Sequence, residues 1–420
     1  MSLKHFFICM CVLVSFNLSA AQLLVPMDQS QKNHLKAYGI AYFVLKNDVT
    51  IEWLLNYRGG SFLMPHLSAI EDELIIRGVS YEVLADGQVA NIKQKISSPE
   101  INQEVVQLEV APKIAVYTPS GKQPWDDAVT LVMEYAEIPY DKVYDSLVLA
   151  GGLAEYDWLH LHHEDFTGQY GKFYAAYRNA PWYREQVATL EASAKSLGFN
   201  KVSEMKLAVA QTIKNYVIGG GFLFTMCSGT DSFDIALAAH QTDICEYMYD
   251  GDGMDPNYRS KMDYGNSFAF EDYALVENPL EYEYSQIDGT DRHRRVSENE
   301  DIFTLFDFSA KWDVVPTMLT QCHERIVKNF YGQTTDFVKD YLKPSVIVMG
   351  ESKGLGTVKY VHGELGNGTW TFYGGHDPED YQHRVGDPHT DLSLHPNSAG
   401  YRLILNNVLF PAAKKKKRKT

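Results

Sequence analysis

Beyond the first twenty-one residues the chain carries three cysteines, at 227, 245 and 322, and one of them stands where a nucleophile would be built. The string Gly219-Gly220-Gly221-Phe222-Leu223-Phe224-Thr225-Met226-Cys227-Ser228-Gly229-Thr230-Asp231 reads as an apolar strand running straight into a helix, with Cys227 at the junction. Such a turn pushes the sulfur out at the carboxyl end of a sheet. The helix N-terminus behind it lowers a thiol's pKa and offers backbone N–H groups to a developing oxyanion. Gly229 gives the backbone room to turn, whereas Thr225 stands where serine elbows carry a glycine. The alternative for Cys227 is a small buried apolar residue, the usual fate of a free cysteine.

A thiol nucleophile needs a base. In Trp370-Thr371-Phe372-Tyr373-Gly374-Gly375-His376-Asp377-Pro378-Glu379-Asp380, His376 follows a strand and a Gly-Gly turn, so the pattern predicts it at the same carboxyl edge. Asp377, Glu379 or Asp380 could orient its ring and fix the tautomer. A third element, Leu147-Val148-Leu149-Ala150-Gly151-Gly152, reads as a buried strand whose end turns the N–H groups near Gly151 and Gly152 toward that edge, where they would join Ser228 around an oxyanion.

The second concentration of chemistry is His160-Leu161-His162-His163-Glu164-Asp165. In extended chain His160 and His162 share one side and His163 takes the other. The cluster could line the substrate cleft through His160 and His162. Alternatively His160, His162, His163 and Glu164 could hold zinc or another borderline metal, or the histidines could make structural hydrogen bonds. Arg292, His293, Arg294 and Arg295 form a basic patch that could meet a substrate carboxylate or remain solvated.

The elements that must position these groups alternate between strand and helix. Leu23 to Met27, Thr50 to Tyr57, Ser80 to Leu84, Val105 to Val110, Ile114 to Tyr117, Ser146 to Ala150, Phe222 to Met226, Val346 to Gly350 and Thr369 to Tyr373 read as strands. Gln31 to Asn47, Leu67 to Arg77, Asp126 to Glu137, Glu204 to Val217, Asp231 to His240 and Tyr401 to Phe410 read as helices. This alternation predicts an α/β protein with a flavodoxin-like parallel sheet and helices on both faces. Residues 22–413 are expected to form one large domain. A tyrosine-rich, acidic insertion at about 246–301 would act as a lid or substrate-facing wall, and residues 414–420 would form a basic tail.

A strand ending in Gly-Gly, a cysteine elbow, a strand leading to His with Pro and Glu beside it, and a final helix together resemble the class I glutamine amidotransferase-like fold. The resemblance implies Cys227 as nucleophile, His376 as base and Glu379 as orienting acid, with Gly151, Gly152 and the Ser228 N–H in the oxyanion region. The family's usual His-Pro-Glu is His-Asp-Pro-Glu here, which leaves Asp377 as a rival to Glu379. Longer strings, Leu24-Val25-Pro26-Met27-Asp28, Asn33 to Tyr42 and Asp157 to Phe166, resemble an exported bacteroidetal family commonly labelled asparagine synthetase B. That label implies glutamine hydrolysis and ATP-driven amide transfer to aspartate. Ser228-Gly229-Thr230-Asp231-Ser232 is similar to the ATP loop of such synthetases but one residue shorter.

Composition bounds the rest. Of 420 residues, 45% are hydrophobic and 13% aromatic, enough for a sizeable core, and the formal charge of −16 argues against general nucleic-acid binding. Residues 1–21 read as a secretory signal: Lys4 and His5, an apolar run from Phe6 to Phe16, then Ser19 and Ala21 before the cut. No stretch is long and apolar enough to span a membrane. The mature protein is therefore expected in the periplasm or outside the cell, acting on a small-molecule substrate, with no cofactor and with its oligomeric state open. The expected activity is Cys-dependent amide (C–N) hydrolysis. The alternatives are a non-catalytic ligand-binding protein, or a metal-dependent hydrolase using His160 to His163.

Overall fold

A computed structural model describes residues 21–119 and 123–413. The expected signal, apart from Ala21, and the basic tail lie outside the described residues. Strands β1 (Gln22–Val25), β2 (Ile51–Leu55), β3 (Ser61–Pro65), β4 (Glu82–Leu84) and β5 (Glu104–Leu108) form one sheet in the order β4-β1-β3-β2-β5. Every pairing in it is antiparallel. The remaining strands are β6 (Ile114–Tyr117), β7 (Asp141–Val143), β8 (Trp158–Leu161), β9 (Phe222–Met226), β10 (Ile302–Leu305), β11 (Ile326–Lys328), β12 (Phe337–Val338), β13 (Ile347–Ser352), β14 (Thr357–Leu365) and β15 (Gly368–Tyr373). They form a ten-stranded sheet in the order β11-β10-β13-β14-β15-β9-β8-β6-β7, with β12 beside β14.

This architecture corrects the expected flavodoxin-like parallel sheet. Only β7, β6, β8, β9 and β15 run parallel; from β15 outward through β14, β13, β10 and β11 the pairing is antiparallel. The cause is connection length. Parallel neighbours need a crossover of about a dozen residues, whereas a two-residue loop closes an antiparallel hairpin. Gly366-Asn367, with Gly366 at φ +62°, joins β14 to β15 in that way. Residues 56–60 turn β2 back onto β3, with Asn56, Arg58, Gly59 and Gly60 all at positive φ. Residues 22–108 therefore build a separate antiparallel sheet instead of extending a parallel one. A second correction concerns Ser146 to Ala150: residues Asp145–Leu149 are helical, with Leu147 36% exposed.

The side-chain alternation of the strands places the two cores. Phe224, Met226 and Tyr373 face one side of the large sheet. They share a core with Leu23, Val25, Trp53 and Phe62 of the small sheet and with the helices His34–Lys46, Ala128–Ala136 and Ala399–Leu409. Leu223 and Phe372 face the other side, against the helices Val202–Gly219 and Ser228–Ala238. Buried Arg402 links the final helix to the first sheet: its guanidinium donates to Met27 O at 2.9 Å and to Tyr38 Oη at 3.1 Å, and also to Gly59 O. The tyrosine-rich segment folds over helix 228–238. The Asp234 carboxylate accepts the amides of Phe268, Ala269 and Phe270 at 2.6, 2.7 and 2.9 Å, and Tyr249, Tyr258, Tyr273 and Tyr284 are buried. Among the described residues, no helix is long and apolar enough to cross a membrane.

Candidate functional site

Three adjacent parallel strands, β8, β9 and β15, end side by side, with Leu161 paired to Thr225 and Phe372 and Tyr373 paired to Thr225 and Met226. Each strand runs directly into chemistry: β8 into His162 and His163, β9 into Cys227, and β15 through Gly374-Gly375 into His376. Cys227, Ser228, His163 and His376 line one cavity of about 780 Å³, together with Gln333 and His383. Its walls mix aromatic side chains, among them Trp125, Phe173, Tyr282 and Tyr381, with charged ones such as Lys172, Glu283 and Arg294.

Cys227 sits at φ +51°, ψ −138°, immediately before helix Ser228–Ala238. A side chain rarely adopts this conformation, and holding one there costs on the order of 1–3 kcal/mol. The neighbours enforce it. The Gly229 N–H donates to His162 O at 2.7 Å, and a Cβ on Gly229 would lie 2.5 Å from that oxygen. The elbow is thus pinned to the end of β8. The sulfur accepts the Gln333 N–H at 3.2 Å, and the amides of Thr334 and Ser228 also point at it. Burial pushes the thiol up to about 11, the three amides pulling the other way. Among the described residues, no hydrogen bond joins this sulfur to a ring nitrogen.

Gln333 and Thr334 belong to a loop that sequence reasoning missed, and the same loop positions His376. His376 N–H donates to Tyr331 O at 2.9 Å and Gly375 N–H to Thr334 O at 2.8 Å. Beneath it, Lys359 Nζ donates to Phe330 O and Thr335 O at 2.6 and 2.7 Å. Burial pulls this amine down to about 7. A signal was present: Tyr331-Gly332-Gln333-Thr334-Thr335-Asp336 is polar and aperiodic between apolar strands, and such loops carry function more often than packing.

The histidines gather into one stack. His162 and His163 lie ring on ring at 3.8 Å, His163 lies 4.4 Å from His376, and His376 stacks on His383 at 4.2 Å. Asp127 reaches His160 Nε2 at 3.3 Å and His162 Nδ1 at 3.4 Å. His163 Nε2 meets the Asp126 carbonyl at 2.7 Å. His376 is 6% exposed and neither ring nitrogen has a hydrogen-bond partner. Burial, and then the neighbouring His163, His162 and His383, hold it well below the usual histidine range, so it is neutral at pH 7. His383 behaves oppositely. Burial opposes its charge, but Asp126 and Asp380 on either side push it up to about 9.

Several expected partners lie elsewhere. Glu379 pairs with His395 at 3.0 Å rather than with His376. Asp377 is buried in its own turn, accepting Glu379 N–H at 2.9 Å and Thr390 Oγ1 at 2.8 Å. Asp380 bonds His383. The group beside the His376 ring is the pair Asp126 and His383. Gly151 and Gly152 follow a helix and precede β8, which puts them at the amino end of the parallel strands, away from the cavity. His160 is fully buried, its Nδ1 3.2 Å from Phe224 O, and is not a cavity wall. His162 lies behind His163. Glu164 turns away from the histidines to Lys206 at 3.6 Å and Tyr144 at 3.1 Å, which removes it from the expected metal set. In the basic patch, His293 is enclosed by Asp301 and Asp336, Arg292 bonds Leu355 O, and Arg294 reaches the cavity. Ser228 to Ser232 are buried helix rather than a phosphate-wrapping loop.

No family model and no curated protein matches this sequence. Among solved structures, the chain is similar to the cytoplasmic protein STM3548 from Salmonella typhimurium, at 10% identity and TM-score 0.33, covering 72% of this chain and 100% of that one. It is also similar to the cytoplasmic protein STM1381 from Salmonella typhimurium LT2, at 13% identity and TM-score 0.34, covering 76% and 94%. A likeness to the GH42 β-galactosidase Gan42B has 11% identity and TM-score 0.24, covering 64% of this chain and 28% of that one. At such scores these likenesses assign neither fold nor chemistry to this chain.

Proposed function

We propose that this chain is an exported hydrolase of carboxamide C–N bonds, with Cys227 as its nucleophile. The observation that carries the reading is the elbow: a cysteine held at φ +51° between strand and helix, at a cavity wall, with three backbone amides converging on its sulfur. Sγ attacks the carbonyl carbon and the thiol proton passes to His376, which is neutral and has unpartnered ring nitrogens. The oxyanion forms beside the sulfur and takes over the amides of Ser228, Gln333 and Thr334, which in the resting protein point at Sγ. The C–N bond breaks as the leaving amine takes the proton from His376. Water then attacks the thioester, freeing the acid and restoring the thiol. The thiol is protonated in the resting protein, so proton loss is coupled to attack on a bound substrate.

Export is supported by the apolar run and small residues within 1–21. Glutamine is the first substrate to test, because the sequence resemblance implies it. A chloromethyl ketone of glutamine is expected to alkylate Cys227, identified by peptide mass, and Cys227→Ala is expected to abolish both labelling and ammonia release while retaining the native circular dichroism. Ammonia release that persists in a folded Cys227→Ala protein refutes the reading.

A further inference from the structure

The thiol chemistry uses one histidine of the stack and leaves the others unexplained. His162 and His376 are buried, at 2% and 6% exposure, and present ring nitrogens with no hydrogen-bond partner. Buried polar atoms are normally satisfied, and leaving one unpaired costs free energy. One ligand atom from each of His162, His163 and His376 falls within 4.8 Å of the other two. Oxygen atoms stand behind two of the rings, as they do behind metal-bound imidazoles, at hydrogen-bond distance for His163 and at ion-pair distance for His162. Asp127 Oδ1 sits 3.4 Å from His162 Nδ1, and the Asp126 carbonyl sits 2.7 Å from His163 Nε2. A carboxylate or carbonyl behind each ring fixes its tautomer and leaves the far nitrogen as the ligand, which here means His162 Nε2 and His163 Nδ1.

We propose that His162, His163 and His376 form a binding site for a borderline divalent transition metal such as zinc, with its fourth position open to the cavity. Three imidazoles plus one open position suit tetrahedral Zn²⁺ or Co²⁺. Zinc–nitrogen bonds of about 2.0–2.1 Å in tetrahedral geometry bring the three nitrogens to about 3.3 Å apart, so the stacked rings rotate apart as the ion enters. The neighbouring triplets are poorer sites. Asp127 already occupies His160 and His162, and His383 is bracketed by Asp126 and Asp380. The inference shares His376 with the amide-hydrolase reading. A bound metal holds that ring as a ligand, so metal occupancy and proton transfer from Cys227 exclude one another.

The test is a Co²⁺ titration of the full-length Cys227→Ser protein, which binds metal at this site but cannot perform thiol chemistry, so a failed hydrolase reading leaves the result intact. The expected outcome is saturable visible absorption of tetrahedral cobalt, displaced by Zn²⁺, with affinity at least about 10-fold weaker in folded His163→Gln and His376→Ala variants. No binding at micromolar Co²⁺ or Zn²⁺ overturns the proposal. Binding that is unchanged in both variants places the ion elsewhere and also overturns it. In the wild-type protein, stoichiometric Zn²⁺ is expected to stop alkylation of Cys227 by the glutamine chloromethyl ketone, and chelator to restore it. Alkylation unaffected by bound zinc refutes the exclusion.

Discussion

Replacing Cys227 by glycine and by alanine tests the elbow directly, because both variants remove the sulfur and only one keeps a Cβ. At an ordinary buried position alanine is the more stable of the two. Glycine loses about 0.4–1 kcal/mol through the freedom it gives the unfolded chain, and the missing methyl forfeits about 0.8 kcal/mol of burial. At φ +51°, ψ −138° the side chain itself is the liability, by about 1–3 kcal/mol. The two contributions nearly cancel: Cys227→Gly is expected within about 2 kcal/mol of Cys227→Ala, and about 0.5 kcal/mol ahead on the central values. Cys245 supplies the control within the same protein. Its thiol is also fully buried, donating to Thr167 O at 3.2 Å, and its backbone is not at positive φ. There alanine should lead by about 1–2 kcal/mol. Urea denaturation of the four variants, analysed with a common m-value, gives the comparison as midpoint shifts. An alanine preference of the same size at both positions would mean that the strand-to-helix turn stores no strain, and the physical case for a presented nucleophile would lose its foundation.

Two further outcomes follow from packing and charge. Gly229→Ala puts a methyl 2.5 Å from His162 O and is expected to destabilise by about 1–3 kcal/mol in thermal unfolding; a neutral substitution would show that the elbow and the end of β8 are not in contact. Burial disfavours the His293 imidazolium, but hydrogen bonds and charge from Asp301 and Asp336 push it up to about 9 from 6.5. Its contribution, on the order of 3 kcal/mol, is complete below about pH 6.5 and is lost as pH rises through about 9. Wild-type stability measured against His293→Asn should therefore narrow across that window, and two parallel pH–stability curves would contradict the ion triplet.

Cys227 was legible because its surroundings are local. Gly219 to Gly221 stop a helix, Phe222 to Met226 are uniformly apolar, and Ser228-Gly229-Thr230-Asp231 begins the next helix. His376 was legible for the same reason, after Thr369 to Tyr373 and a Gly-Gly turn. The partners of these residues were not, because they arrive from distant segments. The acids nearest His376 in the chain face a turn and His395, while Asp126, from far upstream, comes to its ring. The amides of Gln333 and Thr334 could not be anticipated from the elbow alone, since backbone donors carry no residue signature. Pairing direction was misread where hairpins were overlooked. Alternating strands and helices suggest parallel order only when each strand is followed by a crossover, and β3 and β14 follow and precede their neighbours through short turns.

The anchoring of Arg402 on Met27 and Gly59 has a bearing on how the chain folds. Tyr38 also donates to Asn406 at 2.5 Å, and the Glu109 amide donates to Ala412 O at 2.8 Å. The first sheet and the helix His34–Lys46 thus complete their packing only with the helix Ala399–Leu409, more than 300 positions away in the chain. Contacts of such large sequence separation form slowly and late. Until that helix docks, the apolar faces it covers stay open, and a chain with such surface exposed is prone to aggregate unless chaperones hold it.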